Sequence, residues 1–221
     1  MVVSSDEISA AVKDLFEDVR AVAEPAGAVA LAGLKAYAAS HELPEDARLA
    51  CILSGANLNF HSLRYISERA ELGERREALL GVTIPERQGE YLRFCKLIGD
   101  RAVTEFNYRV AGEKAHIFVG LALSGGDAER GQILKLLRGG GYEVVDLTED
   151  EIAKQHVRYM VGGRPQRELR ESVFAFEFPE APGALRDFLV QLGTRWNITL
   201  FHYRSYGTDY GRVLVAFENV A

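Results

Sequence analysis

The feature that most constrains this chain is an internal repeat. Six pairs of identical residues lie 94 positions apart, namely Glu77/Glu171, Pro85/Pro179, Glu86/Glu180, Gly89/Gly183, Phe94/Phe188 and Gly99/Gly193. After a shift of one residue, the segment TEFNYR at 104–109 matches TLFHYR at 199–204. Self-similarity at a fixed spacing indicates repeated structural units. The chain is therefore predicted to contain two copies of one fold.

The first copy alternates between strand and helix patterns. Apolar periodicity and turn residues predict, in chain order, a strand at 77–84, a helix at 88–98, strands at 103–110 and 115–123, a helix at 127–138 and a strand at 142–147. This βαββαβ order is that of the ferredoxin-like fold, an antiparallel sheet with both helices on one face. The predicted fold class is therefore α+β.

The second copy is predicted to be incomplete. It supplies a strand at 173–178, a helix at 185–192, and strands at 198–203 and 212–217, and the sequence then stops at Ala221. Equivalents of the second helix and the last strand of the first copy are missing. The expected architecture is a tandem of ferredoxin-like units, of which the second is truncated.

The first seventy residues have a different pattern. Ser4 and Glu7 match a capping box ahead of apolar residues at helical spacing, so a helix is predicted to start near Ser5, with an Ala-rich helix at 28–39 after it. The apolar run 49–53 is typical of a strand buried on both faces. It leads into Ser54, and ligands collect beyond strand ends in open α/β sheets. Ser54 is either a ligand contact or an ordinary turn residue.

Composition and charge exclude several functions. The net charge of -6 disfavours nucleic acid and anionic membranes as partners, since these select clustered Lys and Arg. The longest apolar run is far shorter than the roughly 20 residues that a bilayer requires. Cys51 and Cys95 lie in apolar stretches without metal-ligand spacing to the histidines, so neither a metal site nor a disulfide is predicted. The cytoplasm is the expected compartment.

Three segments of the first seventy residues carry a resemblance to a known family. They are EPAGA at 24–28, ILSGANLNFH at 52–61 and LRYISER at 63–69. They resemble the end of the catalytic domain of biosynthetic threonine deaminases (threonine ammonia-lyases), a fold-type-II pyridoxal-phosphate domain. The resemblance implies that Ser54 corresponds to the serine that hydrogen-bonds the pyridine nitrogen of the cofactor in that family.

The rest of the chain carries the same resemblance. VRYMVGGRP at 157–165 is similar to the linker between the tandem ACT-like regulatory domains of that family, and HYRSYGTDYGR at 202–212 to a motif of the second one. The resemblance implies a catalytic-domain fragment at 1–72, ACT-like domains at 73–150 and 171–221, and a linker at 151–170. It also implies truncation at both ends and a homotetramer for the family.

Each copy contains a candidate effector site. In each copy a strand ends in Pro-Glu-x-x-Gly before a helix, and the free N–H groups at the start of that helix could receive a carboxylate. The candidate residues are Glu86 and Gly89 in the first copy and Glu180 and Gly183 in the second. Tyr108 and Tyr203 lie on the next strand, and the residues alone leave open whether they pack the sheet or contact a ligand. The resemblance implies that these tyrosines bind isoleucine, the inhibitor, or valine, which opposes it. Arg109 and Arg204 are expected to form structural ion pairs. The site lies either within each copy or between the two copies.

Two hypotheses about function remain, and the first rests on the family resemblance. The first is the isoleucine- and valine-sensing portion of an enzyme that converts threonine to 2-oxobutanoate and ammonia; the alternative is a free-standing amino-acid-binding module that acts through a protein partner. The family holds pyridoxal phosphate through a lysine and a Gly-rich loop, and neither is recognised here, because Lys13 and Lys35 lie at ordinary positions of helical patterns. No catalytic residue is predicted, and the cofactor is expected only in the complete enzyme.

The missing lysine generates a first prediction. The purified chain is expected to show no threonine deaminase activity with added pyridoxal phosphate, because no lysine matches the position that captures the cofactor. The measurement is 2-oxobutanoate release from threonine, together with borohydride reduction and mass analysis. Turnover above a no-protein control, or a reduced lysine adduct, would contradict it.

Overall fold

The computed structural model divides the chain into two compact units, residues 1–76 and residues 77–221. It describes residues 1–109, 112–159, 168–179, 181–193, 195–204 and 210–218.

The first unit consists of three helices, α1 (Ser5–Val19), α2 (Pro25–Ser40) and α3 (Phe60–Gly73). The predicted capping box is confirmed, since the Ser4 hydroxyl accepts from the Glu7 amide and the Glu7 carboxylate accepts from the Ser4 amide. Small side chains let the helices pack closely around a core formed by Ala11, Val12, Ala23, Ala28, Ala32 and Ile66. A buried ion pair between Asp6 and Arg69 also joins α1 to α3.

The strand predicted at 49–53 is wrong. Residues 1–76, all of which the structure describes, contain no strand, and Ile52 is 81% exposed in an irregular segment. An apolar run becomes a buried strand only if other strands pair with it, because its backbone N–H and C=O groups need partners. This unit supplies no such partner, so the α/β character expected of the first seventy residues is absent.

The second unit is a single seven-stranded sheet with three long helices. Its strands are β1 (Glu77–Pro85), β2 (Val103–Arg109), β3 (Lys114–Ala122), β4 (Glu143–Asp146), β5 (Glu171–Pro179), β6 (Asn197–Arg204) and β7 (Tyr210–Glu218). Its helices are α4 (Glu90–Ile98), α5 (Gly126–Gly139), the short α6 (Glu151–Gln155) and α7 (Ala184–Leu192), with a 3₁₀ turn at Val157–Tyr159. The strand order is β4-β1-β3-β2-β6-β7-β5, antiparallel throughout.

The ferredoxin-like order predicted for the repeat is confirmed. Alternate residues of β1, from Ala78 to Ile84, face a core that also takes Phe94 of α4, Leu137 of α5 and Leu189 of α7. The three long helices therefore pack on one face, as the alternation of side chains along a strand requires. In the part of the second copy that the structure describes, the order is βαββ, without equivalents of α5 and β4.

The two copies join through β2 and β6, which are repeat-equivalent strands. Asn107 lies opposite His202, Phe106 opposite Tyr203 and Tyr108 opposite Phe201. Because each pair combines equivalent positions in reverse order, the copies are related by a local twofold axis at Asn107 and His202. Ring contacts cross this seam, with centroids 5.3 Å apart for Phe106 and Phe201.

The seam generates a prediction about stability. Phe201→Ala is expected to lower the free energy of unfolding by about 3–5 kcal/mol, because the ring is buried and its loss leaves a cavity. Val173→Ala, at an exposed position of β5, is the control and should change it by about 0.5 kcal/mol or less. Urea unfolding followed by the fluorescence of Trp196, the single tryptophan, reports on this unit. Equal effects of the two changes would contradict the prediction.

Candidate functional site

Both predicted helix starts have the same backbone geometry. Gly89 precedes α4 with φ 88°, and Gly183 precedes α7 with φ 82°, a left-handed conformation that favours glycine. Neither helix receives a side-chain cap. A β-carbon at Gly183 would also come within 3.3 Å of the Arg186 guanidinium and of the Asp100 carboxylate. The repeat thus conserves an uncapped helix start in each copy, and the start of α7 is additionally crowded by charged groups.

The structure brings Tyr108 and Glu86 together. The Tyr108 ring is fully buried and its hydroxyl donates to the Glu86 carboxylate. Tyr203 is also buried, and its ring stacks on that of Phe178 at 5.9 Å. Glu180 lies outside the described residues.

The side chains of Arg109 and Arg204 also lie outside the described part of the chain. The ion pairs expected of these two arginines therefore stay predictions. Their backbones end β2 and β6, in register with Leu200 and Glu105 respectively.

Tyr91 was not predicted as a site residue, and its side chain distinguishes the start of α4 from the start of α7. Its ring lies edge-on to Tyr108 with centroids 4.8 Å apart and reaches Phe201 of the other copy at 6.4 Å. Burial, and then the neighbouring Tyr108 and Glu86, raise the pKa of Tyr91 well above its ordinary value. The repeat-equivalent residue is Leu185. A large ring thus occupies the first helix start where the second carries a smaller side chain.

A cavity lies between the copies at the second helix start. It measures about 10 Å³ and is lined by Cys95, Ile98, Gly99, Arg101 and Val103 of the first copy and by Ala181, Gly183, Ala184, Leu185, Arg186 and Tyr203 of the second. This volume is about that of one water-sized probe. The pair Leu185 and Cys95 replaces the repeat-equivalent pair Tyr91 and Leu189, and its smaller side chains account for the space. The cavity brings together two predicted residues, Gly183 and Tyr203.

An open groove lies next to this cavity and shares Arg101 with it. The groove has a volume of about 470 Å³ and is lined by Asp100, Arg101, Ala102, Ala122, Leu123, Ser124, Glu129 and Pro182. That volume falls within the roughly 300–1,000 Å³ of small-molecule sites. The cavity and the groove together therefore offer a partly enclosed space and an open one at the same junction.

Charged pairs border both spaces. Arg101 Nε donates to the Glu129 carboxylate at 2.7 Å, and Arg186 pairs across the junction with Asp100. The backbone N–H of Gly125, and after it the Arg101 guanidinium, hold the pKa of Glu129 below its ordinary value. Both arginines are thus already engaged with carboxylates, so an incoming carboxylate would exchange with these partners.

Ser54 lies apart from these residues, in the first unit. It is exposed, and its carbonyl packs against Gly27, where a β-carbon would approach it to 1.8 Å. Lys13 binds Glu71 at 2.6 Å and Glu74 at 2.8 Å, and Lys35 pairs with Asp14. Burial would lower the pKa of Lys13, but these hydrogen bonds raise it, the opposite of what an imine-forming lysine needs. Residues 1–76 by themselves therefore do not fit pyridoxal phosphate.

Comparison with known proteins gives a consistent result. The family profile described as the C-terminal regulatory domain of threonine dehydratase matches residues 68–157 and 162–220. The chain is 68% identical to the biosynthetic L-threonine dehydratase of Escherichia coli, over 98% of this chain and 42% of the relative. The chain belongs to the threonine dehydratase family. Threonine deaminase is another name of this enzyme, so the resemblance found in the sequence is confirmed, and the chain carries the regulatory domain.

More distant threonine dehydratases match over the same extent. The mitochondrial enzyme of Saccharomyces cerevisiae is 43% identical, over 99% of this chain and 40% of the relative. The chloroplastic biosynthetic enzyme of Arabidopsis thaliana is 41% identical, over 99% of this chain and 36% of the relative. The chain thus spans about two fifths of the length of these relatives.

Two kinds of feature are absent from the described residues. No described helix is long and apolar enough to cross a membrane. Among the described residues, no group of three or more His, Cys, Asp or Glu side chains could hold a metal ion.

The different burial of Cys95 and Cys51 predicts different reactivities for the two thiols. Burial raises the pKa of Cys95 to about 12, whereas Cys51 is exposed. At pH 8, Cys51 of the native chain is expected to react with a disulfide reagent in seconds to minutes. Cys95 is expected to react at least about 100-fold more slowly, because only a thiolate attacks. Cys51→Ser should remove the fast phase and Cys95→Ser should leave it. Two fast thiols in the native chain would contradict this account.

Proposed function

We propose that this chain is the effector-sensing part of a biosynthetic threonine dehydratase, and that it binds isoleucine or valine at the junction of its two copies. The observation that carries the proposal is the cavity between the copies, which combines Tyr203 and the uncapped start of α7 with apolar residues of the first copy. This favours the shared pocket over a separate site within each copy.

The lining offers a place for each part of a branched amino acid. The backbone N–H groups that follow Gly183 and the Arg101 guanidinium suit the carboxylate. The carboxylates of Asp100 and Glu129, at the edge of the groove, suit the ammonium group. Ile98, Val103 and Leu185 suit the branched side chain.

Binding requires the cavity to enlarge. A space of about 10 Å³ holds no amino acid, so the effector binds a state in which α7 and the end of α4 lie farther apart. An effector that binds one of two states better shifts the population toward that state. Isoleucine and valine, which differ by one methylene group, would then favour different separations of the copies, and the catalytic domain would respond to that difference.

The remaining parts of the proposal concern the complete enzyme. It converts threonine to 2-oxobutanoate and ammonia with pyridoxal phosphate, assembles as a homotetramer and works in the cytoplasm. Within this chain, residues 1–72 belong to the catalytic domain, residues 73–150 and 171–221 are the two ACT-like domains, and residues 151–170 link them. Ser54 contacts the cofactor only when the rest of the catalytic domain is present. Glu86, Gly89 and Tyr108 form the counterpart of the site in the first copy, which Tyr91 occupies.

Calorimetric titration of isoleucine and valine into the chain tests the site. Tyr203→Phe is expected to weaken binding about 3- to 10-fold, because it removes one hydroxyl from the cavity lining. Leu185→Tyr, which copies the side chain of the first helix start, is expected to abolish binding by filling the cavity.

Tyr142→Phe is the matched control, since it removes a hydroxyl that donates to Glu90 and lines neither the cavity nor the groove. The affinity of the Tyr142→Phe variant for isoleucine and valine should equal that of the unchanged chain. No heat of binding for either amino acid at millimolar concentration would overturn the proposal. Equal losses in Tyr142→Phe and Tyr203→Phe would show that the site lies elsewhere.

A further inference from the structure

The segment from Leu147 to Tyr159, called the strap below, covers the sheet face opposite the long helices. It contains α6 and the 3₁₀ turn, and the Leu147 side chain lies over Gly81 of β1. The chain has to pass from β4 at one edge of the sheet to β5 at the other edge. With strands spaced by about 4.8 Å, the two edges of a seven-stranded sheet are about 29 Å apart. The strap is the first part of that crossing.

Arg158 anchors the end of the strap to the sheet, and near the start of the strap the Thr148 hydroxyl accepts from the Leu79 amide of β1 at 3.1 Å. Arg158 Nε donates to the Glu105 carboxylate at 2.7 Å, and Nη2 donates to both carboxylate oxygens of Glu77 at 2.9 and 3.2 Å. All three side chains are buried. Because Glu77 is on β1 and Glu105 on β2, the guanidinium bridges two strands that are not neighbours.

Gly120 of β3 makes room for this bridge. It pairs with Leu79 on one side and Glu105 on the other, so it lies beneath the cluster. A β-carbon there would approach the Thr104 hydroxyl to 2.3 Å and the Glu77 carboxylate to 3.1 Å. The cluster of Glu77, Glu105 and Arg158 therefore depends on a glycine at this strand position.

A second contact extends the anchor to the seam between the copies. The Asn107 side-chain amide donates to the Arg158 carbonyl at 3.2 Å and to Glu105 at 3.3 Å. Asn107 faces His202 across the β2–β6 pairing, at the local twofold axis. The end of the strap is thus fixed directly above the line along which the two copies meet.

The strap lies on the first copy, at positions where the two copies of the repeat differ. The first copy buries Leu79 (0% exposed) and Phe118 (7%) beneath it, whereas the equivalent Val173 and Leu214 of the second copy are 59% and 42% exposed. Thr199 bonds Glu171 as Thr104 bonds Glu77, but the equivalent of Glu105 is Leu200. Only the first copy therefore presents two carboxylates to the arginine.

We propose that Arg158 is a positioning residue for the effector response. Arg158 holds the strap on the first copy, and the strap fixes the point from which the chain continues to the second copy. The separation of the two copies at the seam therefore depends on a side chain that touches no effector. The proposal deepens the proposed function and rests on it for its effect on affinity. Its effect on the seam itself is independent of any ligand.

The first test measures amide exchange in the unliganded chain by mass spectrometry. Arg158→Met is expected to raise exchange about 10-fold or more in the strap and in residues 103–109 and 197–204, because it leaves two buried carboxylates without their cation. Arg158→Lys should give an intermediate increase, since an ammonium keeps the charge but not the fork. Exchange in β1 and β3 away from the cluster should stay unchanged.

Two further variants keep the test decisive if Arg158→Met does not fold. Glu105→Gln weakens one arm of the bridge and leaves Glu77 in place. Gly120→Ala keeps every charge and displaces the cluster by sterics alone, so it should reproduce the seam-specific exchange. Arg69→Met is the matched control, because Arg69 also forms a buried ion pair with a carboxylate, that of Asp6, but in the first unit.

The second test measures isoleucine affinity of the same variants. Arg158→Met and Gly120→Ala are expected to change the dissociation constant about 5-fold or more, with partial rescue in Arg158→Lys and no change in Arg69→Met. If the unchanged chain binds no isoleucine, the proposed function fails and exchange alone decides the positioning role. Unchanged exchange at residues 197–204 in Arg158→Met, or altered exchange with unaltered affinity, would overturn the proposal.

Discussion

The antiparallel pairing of β2 with β6 is the interaction on which the second unit depends. It turns two small sheets into one, and it lets Tyr91, Phe106 and Phe201 pack as a single aromatic cluster across the seam. Because the paired strands are repeat-equivalent, the start of α7 faces the end of α4, and the start of α4 faces the end of α7. The cavity beside Gly183 is a direct consequence of that arrangement, since half of its lining comes from α4 and the residues after it.

The backbone is nearly symmetric about the seam, whereas the side chains are not. Tyr91 and Leu189 take the positions that Leu185 and Cys95 take on the other side. The larger pair leaves less space at the first helix start, and the smaller pair leaves a cavity at the second. On the opposite face, Glu105 and its equivalent Leu200 differ in the same way, so only one copy binds the strap. Duplication therefore supplied the scaffold, and divergence at positions such as these made its halves chemically different.

The elements of the repeat could be predicted from the sequence because their signals are local. The helix predicted at 185–192 is observed at Ala184–Leu192, and the strand predicted at 142–147 at Glu143–Asp146. The strand expected at 49–53 failed because pairing partners are not encoded in the run itself. Tyr203 and Gly183 could be selected as site residues, but Cys95 and Ile98 could not, since only the pairing of distant strands brings them near. Glu105 and Gly120 were detectable signals, as a charge and a glycine within otherwise apolar strands.

The small volume of the cavity has a consequence for the affinity with which an effector would bind at the junction. When the binding-competent state is a minor one, the apparent affinity is the intrinsic affinity reduced by the fraction of molecules in that state. As proposed above, packing across the seam and the anchor at Arg158 both stabilise the arrangement in which the cavity has a volume of about 10 Å³. Residues far from the ligand would then set the affinity as strongly as residues that touch it, without any change in the contacts made once the ligand is bound. In that case the buried cluster of Glu77, Glu105 and Arg158 is one of the determinants of the effector concentration to which the domain responds.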